Sequence, residues 1–201
     1  VLLFSASISN KTIKQANTIT YNPVIYELSK ENKELIPKTI KHIFIISDRR
    51  ERIETLRKIA KAVNSDKTMI FINTKYDLEE SLQKLQYHNY NVAALAGNID
   101  KQSKKKAVED FQNGRLQYLL ATDVAARGLQ IDHVSTVINV NLPEEPTEYL
   151  HRAGRCGRNN EQGLCISIIT ENELNKIKKY QKAFNINIVQ KRLYNGKIVS
   201  K

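Results

Sequence analysis

The sequence predicts an α/β fold, a doubly wound and mostly parallel sheet that is sandwiched between helices. Two observations predict it: short apolar runs alternate with helical patterns, and the runs carry apolar residues toward both faces. Buried strands separated by helices of about 10–15 residues are typical of βαβ units in a parallel sheet. Right-handed crossovers between such units place helices on both faces of the sheet.

Apolar runs predict the strands, in chain order, at His42–Ile46, Met69–Ile72, Val92–Leu95, Gln117–Ala121, Thr136–Val140 and Leu164–Ile169. Helical patterns lie near residues 48–63, 75–88, 101–112, 146–153 and 171–183. Asp48 and Asp100 are predicted helix caps, and Gly114 is a predicted helix stop.

The two ends of the chain depart from this alternation. Residues 1–9 predict a strand followed by a turn of small residues, and residues 10–40 predict a polar connector with one extended piece around Val24–Leu28. Beyond about residue 186 we expect a short strand or an extended tail. These features divide the chain into three predicted segments, residues 1–36, 37–186 and 187–201. Because the first residue is Val1 and no signal-peptide pattern follows it, we expect a piece of a longer cytoplasmic protein.

Composition limits the function classes. The 201 residues include 32 Lys and Arg against 21 Asp and Glu, a net charge of +11. Such an excess fits a polyanionic partner, and it equally fits a lysine-rich surface that aids solubility. No apolar run approaches the roughly 20 residues of a membrane span, so we expect no membrane partner. Cys156 and Cys165 are too few for a disulfide framework or a four-cysteine zinc site, and no metal site is predicted.

The sharpest local pattern is the segment His151–Arg158, which reads HRAGRCGR. On a helical turn His151, Arg155 and Arg158 would share one face, and Arg152 would point about 100° away. The two glycines between the arginines would let a ligand approach the backbone closely. Two guanidinium groups on one face suit a phosphate on which charge builds up. The alternative is an arginine-rich helix end that pairs with carboxylates elsewhere.

A second pattern directly follows the predicted strand Gln117–Ala121, where the chain reads ATDVAARGL. Thr122 and Asp123 would lie at the carboxyl end of that strand, which is where parallel sheets bind ligands. Gly128 permits an unusual backbone conformation. The alternative is a Thr/Asp helix cap with nothing bound.

A third pattern is the helix that starts after Asp100. Lys104 lies one turn before the apolar stripe of this helix, so it would reach over the upper edge of the sheet. Together with the free N–H groups of the helix N-terminus, this lysine would make a phosphate site. The alternative is an ordinary surface lysine.

Four segments, in order along the chain, resemble motifs of the DEAD-box RNA helicases. Phe4–Ser7 resembles the Ser-Ala-Thr motif III, and Met69–Thr74, Ala121–Ile131 and His151–Arg158 resemble motifs IV, V and VI. The likeness covers nearly the whole chain. It implies the second, C-terminal RecA-like domain of such a helicase over 37–186. Residues 1–36 would be a remnant of the first domain with the interdomain connector, and 187–201 a C-terminal tail.

The resemblance also implies roles. The family uses ATP and Mg²⁺ to close two domains over RNA, which is bound through its backbone independently of sequence. Arg155 and Arg158 would be arginine fingers on the γ-phosphate, with His151 completing the catalytic set. The residues expected to contact the nucleotide are Arg127, Gly128, Gln130, Arg155 and Arg158. The residues expected to contact RNA are Thr74, Gly97, Lys104, Thr122 and Asp123. The residues expected to couple the two domains are Ser5, Ser7 and Arg152.

The chain departs from the family pattern at several positions. Gln130 replaces the usual Asp, Lys104 the usual Arg, Ala96 the usual His and Ser7 the usual Thr. The sequence also lacks a Gly-x-x-x-x-Gly-Lys-Thr phosphate loop and an Asp-Glu-Ala-Asp motif, which belong to the first domain in this family. We therefore expect the chain to be inactive alone, with ATP and Mg²⁺ held mainly by the first domain.

Rival interpretations remain at this point. The chain could be a non-catalytic RNA-binding scaffold that keeps the helicase motifs, or a superfamily-2 domain that acts on DNA. A preference for RNA over DNA would distinguish a DEAD-box domain from the DNA-acting domain, because closed DEAD-box enzymes contact the 2′-hydroxyl. An oxidoreductase-type α/β domain is a more distant alternative, since the glycine-rich dinucleotide fingerprint is missing after a first strand.

Overall fold

The computed structural model describes Leu3 and residues 10–26, 36–95, 99–129, 131, 133–158 and 161–200. The chain divides into two compact units, Val1–Glu34 and Leu35–Lys201. The first unit contains helix α1 (Asn10–Ile19). The expected polar connector over residues 10–40 thus contains a helix that was not predicted, although Ile13 and Ala16 begin an apolar stripe at helical spacing. The strand predicted over residues 1–9 lies outside the described residues.

The second unit is built on a sheet of eight strands in the described part of the chain. These are β1 (Ile40–Ile46), β2 (Thr68–Phe71), β3 (Val92–Leu95), β4 (Tyr118–Ala121), β5 (Thr136–Asn139), β6 (Gly163–Ile169), β7 (Ile188–Tyr194) and β8 (Lys197–Ser200). Their order across the sheet is β3-β4-β2-β5-β6-β1-β7-β8. Every pairing is parallel except that of β7 with β8, which is antiparallel. The mostly parallel sheet predicted from the sequence is confirmed.

Helices cover both faces of this sheet, as a doubly wound fold requires. They are α2 (Arg52–Val63), α3 (Lys75–Tyr87), α4 (Lys101–Gln112), α5 (Asp123–Ala126), α6 (Pro146–Ala153) and α7 (Leu174–Phe184). Alternate residues of β1 belong to different core clusters: Ile43 packs with Leu56 of α2, and Phe44 belongs to the cluster that contains Tyr180 of α7. Helices α2 and α3 therefore lie on one face, and α4, α6 and α7 on the other.

All five predicted helices are present, and two of them, α2 and α7, begin after a short 3₁₀ turn. Asp100 caps α4, because its Oδ1 accepts hydrogen bonds from the backbone N–H groups of Gln102 at 3.0 Å and Ser103 at 2.9 Å. Gly114 follows the end of α4 with φ +74°, a conformation that suits glycine. Asp48 is the N-cap residue of the 3₁₀ turn Arg49–Glu51 that leads into α2, but its side chain makes no capping hydrogen bond. The predicted position of this cap is confirmed, and the capping hydrogen bond is missing.

The last residues extend the sheet. Strand β7 pairs with β1, and a tight turn at Asn195 and Gly196 leads back into β8. Both turn residues have positive φ, 47° and 72°, as two-residue hairpin turns require. Leu193 and Ile198 pack against the core cluster beneath α2. The expected strand is present, and it belongs to a hairpin that the Asn-Gly pair could have indicated.

Two further findings concern the described residues as a whole. None of the helices found there has the length and apolar character needed to cross a bilayer. Cys156 and Cys165 are buried free thiols, and burial raises the pKa of Cys165 to about 11. Thiols this difficult to ionise are poor nucleophiles and poor metal ligands at neutral pH.

Buried His42 is expected to make stability depend on pH. Its Nδ1 lies 2.9 Å from the Tyr149 hydroxyl, and burial lowers its pKa from 6.5 to about 4. The unfolded chain therefore binds this proton at a higher pH than the folded chain, so stability falls as pH drops from about 6.5 toward 4. We expect His42 to contribute a loss of about 2–3 kcal/mol between pH 7.5 and 4.5. Urea denaturation of this chain and of His42→Gln across that range measures the difference, and parallel pH profiles of the two proteins would contradict the prediction.

Candidate functional site

The carboxyl edge of the sheet gathers the predicted phosphate-binding residues. Strands β4, β2 and β5 are neighbours and parallel, so the residues that follow them lie along one edge. Thr74 follows β2 and caps α3, accepting a hydrogen bond from Asp77 N–H at 3.1 Å. Thr122 follows β4 and caps α5, accepting from Ala125 N–H at 3.3 Å. Each hydroxyl acts as the acceptor in its cap, which leaves its own hydrogen to donate to a ligand.

Arg152 is the buried centre of this edge. Its side chain is 1% exposed, and its guanidinium lies 5.1 Å from the centre of the Phe71 ring. Nε and Nη2 donate to the two carboxylate oxygens of Asp123 at 2.7 and 2.5 Å. The remaining donors reach Asn73 Oδ1 at 2.8 Å, Asn141 O at 2.7 Å and Asn139 Oδ1 at 3.3 Å. All five donor positions of the guanidinium are thereby satisfied.

This network changes how two predicted site residues are understood. Arg152, expected to couple this domain to another, joins the ends of β2, β5 and α6 inside this one. Asp123, expected to contact RNA, has its carboxylate held by Arg152 and remains 25% exposed. The asparagines at 73, 139 and 141 were missed by the sequence analysis. Sequence position gives a weak indication of two of them, because Asn73 and Asn141 each lie two residues after the carboxyl end of a strand.

A pocket of about 230 Å³ opens beside this network. It is lined by Phe71, Asp123, Ala126, Arg127, Gly128, Glu148, His151, Arg152 and Arg155. Gly128, at the end of α5, has φ +72°, the unusual backbone conformation expected there. Arg127 is exposed and lies 3.6 Å from Glu148. The structure thus brings together four residues of the predicted nucleotide and catalytic set, namely Arg127, Gly128, His151 and Arg155.

Arg155 carries a positive charge that no described carboxylate neutralises. Its side chain is half-buried, and Nη1 donates to the backbone carbonyl of Leu129 at 2.6 Å. Burial, followed by the nearby charge of Arg158, lowers the pKa of Arg155 below that of an ordinary guanidinium. Both effects disfavour the cation in the absence of a ligand. An anion entering the pocket would offset both by direct attraction to the guanidinium.

The arginine segment is not the helical stripe that its spacing predicts. Helix α6 ends at Ala153 with Gly154 as its C-cap, so His151, Arg155 and Arg158 do not share a helix face. Gly157 has φ +67°, and a Cβ there would lie 2.5 Å from Ile40 Cγ1. The fold itself therefore requires this glycine, whereas the role predicted from the sequence was the approach of a ligand to the backbone.

The remaining predicted residues lie in several places. The Nε of Arg158 donates to Gly154 O at 3.2 Å, and the charge of Arg158 acts on Arg155, although Arg158 does not line the pocket. Lys104 is half-buried in the first turn of α4. Four candidate residues lie outside the described residues: Ser5, Ser7, Gly97 and Gln130.

Comparison with known proteins supports this picture. The helicase conserved C-terminal domain family matches residues 51–160. The DEAD-box ATP-dependent RNA helicase CshC of Bacillus cereus is 31% identical over 200 residues, which cover 99% of this chain and 50% of that protein. The probable ATP-dependent RNA helicase YfmL of Bacillus subtilis is 29% identical over 201 residues, covering 100% and 52%. The chain spans about half the length of these curated relatives.

Solved structures show the same likeness. Dbp5 of S. cerevisiae bound to RNA and ADP BeF3 superposes with a TM-score of 0.83 at 28% identity, covering 94% of this chain and 50% of that one. A DEAD box protein from Methanococcus jannaschii gives a TM-score of 0.70 at 27% identity, covering 95% and 50%. From the family match over more than half of the chain, these relatives and the fold, we conclude that the chain belongs to the helicase conserved C-terminal domain family and corresponds to the C-terminal RecA-like domain of the DEAD-box helicases.

Proposed function

We propose that this domain closes with a first RecA-like domain over ATP and RNA, and that closure couples ATP hydrolysis to the separation of RNA strands. The relatives named above are ATP-dependent RNA helicases, and a structural neighbour was solved with RNA and ADP BeF3. The observation that carries the proposal is Arg155, a half-buried cation in an open pocket with no carboxylate partner among the described residues. Such a group is arranged to receive an anion from outside this domain.

In the proposed mechanism, ATP with Mg²⁺ is held mainly by the first domain and supplies the phosphoryl group. Arg155 and Arg158 approach the γ-phosphate only when the domains close, and they stabilise the charge that develops in phosphoryl transfer. Arg127, Gly128 and Gln130 line the nucleotide side of the cleft, and His151 completes the catalytic set at the pocket rim. Hydrolysis then depends on closure, because the fingers and the nucleotide start on different domains.

RNA would bind along the carboxyl edge of the sheet. Thr74 and Thr122 donate their hydroxyl hydrogens to phosphates, and Lys104 supplies a cation, with Gly97 as a close-approach position. Each carboxylate oxygen of Asp123 has a second lone pair, so the exposed part of this group accepts a ribose hydroxyl while Arg152 holds it. Arg152 is then a positioning residue, and Ser5 and Ser7 remain the predicted link to the first domain. Contacts of this kind are independent of base sequence and sensitive to salt.

The test is ATPase activity of this chain alone and joined to the first RecA-like domain of its full-length protein. We expect no hydrolysis by the chain alone, and RNA-stimulated hydrolysis by the joined protein. Hydrolysis by the chain alone would contradict the proposal. A joined protein that binds RNA without hydrolysing ATP would indicate the non-catalytic scaffold. Equal stimulation by DNA of the same base sequence would indicate a DNA helicase.

A further inference from the structure

A second concave surface lies between α2 and the β7–β8 hairpin and shares no lining residue with the Arg155 pocket. We call it the hairpin groove. Its volume is about 670 Å³, nearly three times that of the Arg155 pocket at about 230 Å³. Among the described residues that line it, none carries a carboxylate. Its cationic members are Arg57, Lys58 and Lys61 on the α2 wall, and Lys191 and Arg192 on the hairpin wall.

Most of this positive charge is not neutralised within the described part of the chain. Arg57 is the exception, with its Nη2 2.5 Å from Glu54 Oε1. Lys191 donates to the neutral hydroxyl of Ser200 at 2.8 Å. Lys58, Lys61 and Arg192 are exposed and form no ion pair with a described carboxylate. Like charges gathered around one groove repel one another, and a bound polyanion would turn that repulsion into attraction.

An exposed aromatic ring beside the groove favours a nucleic-acid ligand over an acidic peptide. Tyr194 lines the groove and is 59% exposed, and the guanidinium of Arg192 lies 5.6 Å from its ring centre. A cationic groove beside an open aromatic face is the usual platform for single-stranded nucleic acid, where the bases stack and the phosphates meet cations. An acidic peptide would use the cations but has no need of the ring.

The groove also lies where an RNA strand from the proposed site could continue. Strands β1 and β7 are parallel to β2, and Ile45 near the end of β1 is paired with Lys191, so the residues after Lys191 reach the same carboxyl edge as Thr74. Four strand spacings separate β2 from β7, or about 19 Å at ~4.8 Å each. The hairpin wall, residues 190–196, lies beyond the range 51–160 that the family matches.

We infer that the hairpin groove binds the backbone of single-stranded RNA that extends beyond the segment held at Thr74 and Thr122. Lys58, Lys61, Lys191 and Arg192 contact phosphates, and Tyr194 stacks on one base. The inference rests on the proposed function for its ligand, and it adds to that function a second RNA contact within this chain. Its consequence is that affinity for RNA depends on strand length.

The test is fluorescence anisotropy with this chain and labelled oligouridine of about 20 or about six nucleotides, lengths chosen against site sizes of roughly 4–16 nucleotides. The groove variant is Lys58→Glu with Arg192→Glu, one exposed residue from each wall. The matched control is Lys178→Glu with Lys182→Glu on α7, two exposed lysines that do not line the groove and that undergo the same change of charge. We expect the groove variant to lose roughly tenfold or more in affinity for the long strand, as Tyr194→Ala also should.

Two further results are expected of the groove variant. Loss of two phosphate contacts should reduce the slope of log K against log salt by about 1.4 for the long strand. Binding of the short strand, and all binding by the α7 control, should stay within about twofold of the unchanged chain. A long strand that carries 4-thiouridine should photocrosslink to the peptide containing Tyr194.

The outcomes separate this inference from the proposed function. Equal loss of long-strand binding in the groove variant and the α7 control would overturn the inference, as would a wild-type chain that binds neither strand. Polyglutamate binding that the groove variant loses while RNA binding is unchanged would overturn it in favour of an acidic protein partner. Long-strand binding that depends on the groove but survives Thr74→Ala with Thr122→Ala would support the groove and count against the proposed edge contacts.

Discussion

Replacing Arg155 by alanine is expected to lower the RNA-stimulated ATPase rate of the joined two-domain protein by roughly 10³–10⁵-fold, the range known for an arginine finger. The guanidinium of Arg155 stands in an open pocket, held by the carbonyl of Leu129 at 2.6 Å. Its removal takes away charge stabilisation in the transition state without disturbing a packed ion pair. The free energy of unfolding should therefore change by no more than about 1 kcal/mol.

Steady-state ATPase assays with saturating RNA measure this effect, with unfolding followed separately by urea denaturation. The matched control is Arg115→Ala, an arginine whose side chain is 70% exposed and pairs with Asp110 after α4. This control should retain its activity within about twofold. Arg155→Lys should recover only part of the loss, because an ammonium keeps the charge but cannot make the paired hydrogen bonds of a guanidinium. A loss of less than tenfold in Arg155→Ala would exclude the finger role.

Replacing Arg152 by methionine is expected to lower the free energy of unfolding by about 3–5 kcal/mol, the usual cost of removing one partner from a buried ion pair. The methionine fills much of the volume, but it leaves the Asp123 carboxylate without its partner. It also leaves the side-chain oxygens of Asn73 and Asn139 and the carbonyl of Asn141 without their donor. Arg152→Lys should recover little, because an ammonium group cannot reach acceptors arranged around a planar guanidinium.

Urea denaturation of this chain near pH 7.5 measures the loss. The control is Arg155→Met, the same chemical change three residues away, for which we expect a change within about 1 kcal/mol. Combining Arg152→Met with Asp123→Leu should cost less than the sum of the two single changes, because the double variant no longer buries an unpaired charge. Surface substitutions usually change the free energy of unfolding by less than about 1 kcal/mol. A change of that small size in Arg152→Met would contradict its structural role.

Together these two expectations assign opposite tasks to arginines that are three positions apart. Arg152 is expected to stabilise the folded domain, because its charge is already satisfied within it. Arg155 is expected to contribute little to stability, because its guanidinium forms no ion pair with a described carboxylate. Loss of ATPase activity in an Arg152 variant should therefore be accompanied by a lower unfolding free energy, whereas loss in an Arg155 variant should not.

Much of the fold could be predicted from the sequence, because the signals for it are local. The strand predicted at Val92–Leu95 is found with the same bounds, and the alternation of buried runs with helical patterns gave the parallel sheet. Thr74 and Thr122 also lie where the chain alone indicates, since a residue that follows a parallel strand must lie at its carboxyl edge. Helix α1 and the Asn195–Gly196 turn are also encoded locally, by apolar residues at helical spacing and by an Asn-Gly pair.

The distinction between the arginines was decided by the tertiary structure. The segment 151–158 predicts one helical face, but the chain leaves the helix at Ala153 because Gly154 ends it and Cys156 is drawn into a bridge with Val134. Arg152 is buried because its acceptors include Asn73, which is 79 residues earlier, and Asp123, which is 29 residues earlier. The hairpin groove likewise joins α2 to a strand pair more than a hundred residues later in the chain. Periodicity reports only on near neighbours. The sequence by itself therefore determined the sheet and the order of its motifs, whereas the packing of distant segments decided which charged groups were buried in ion pairs and which stayed in an open pocket.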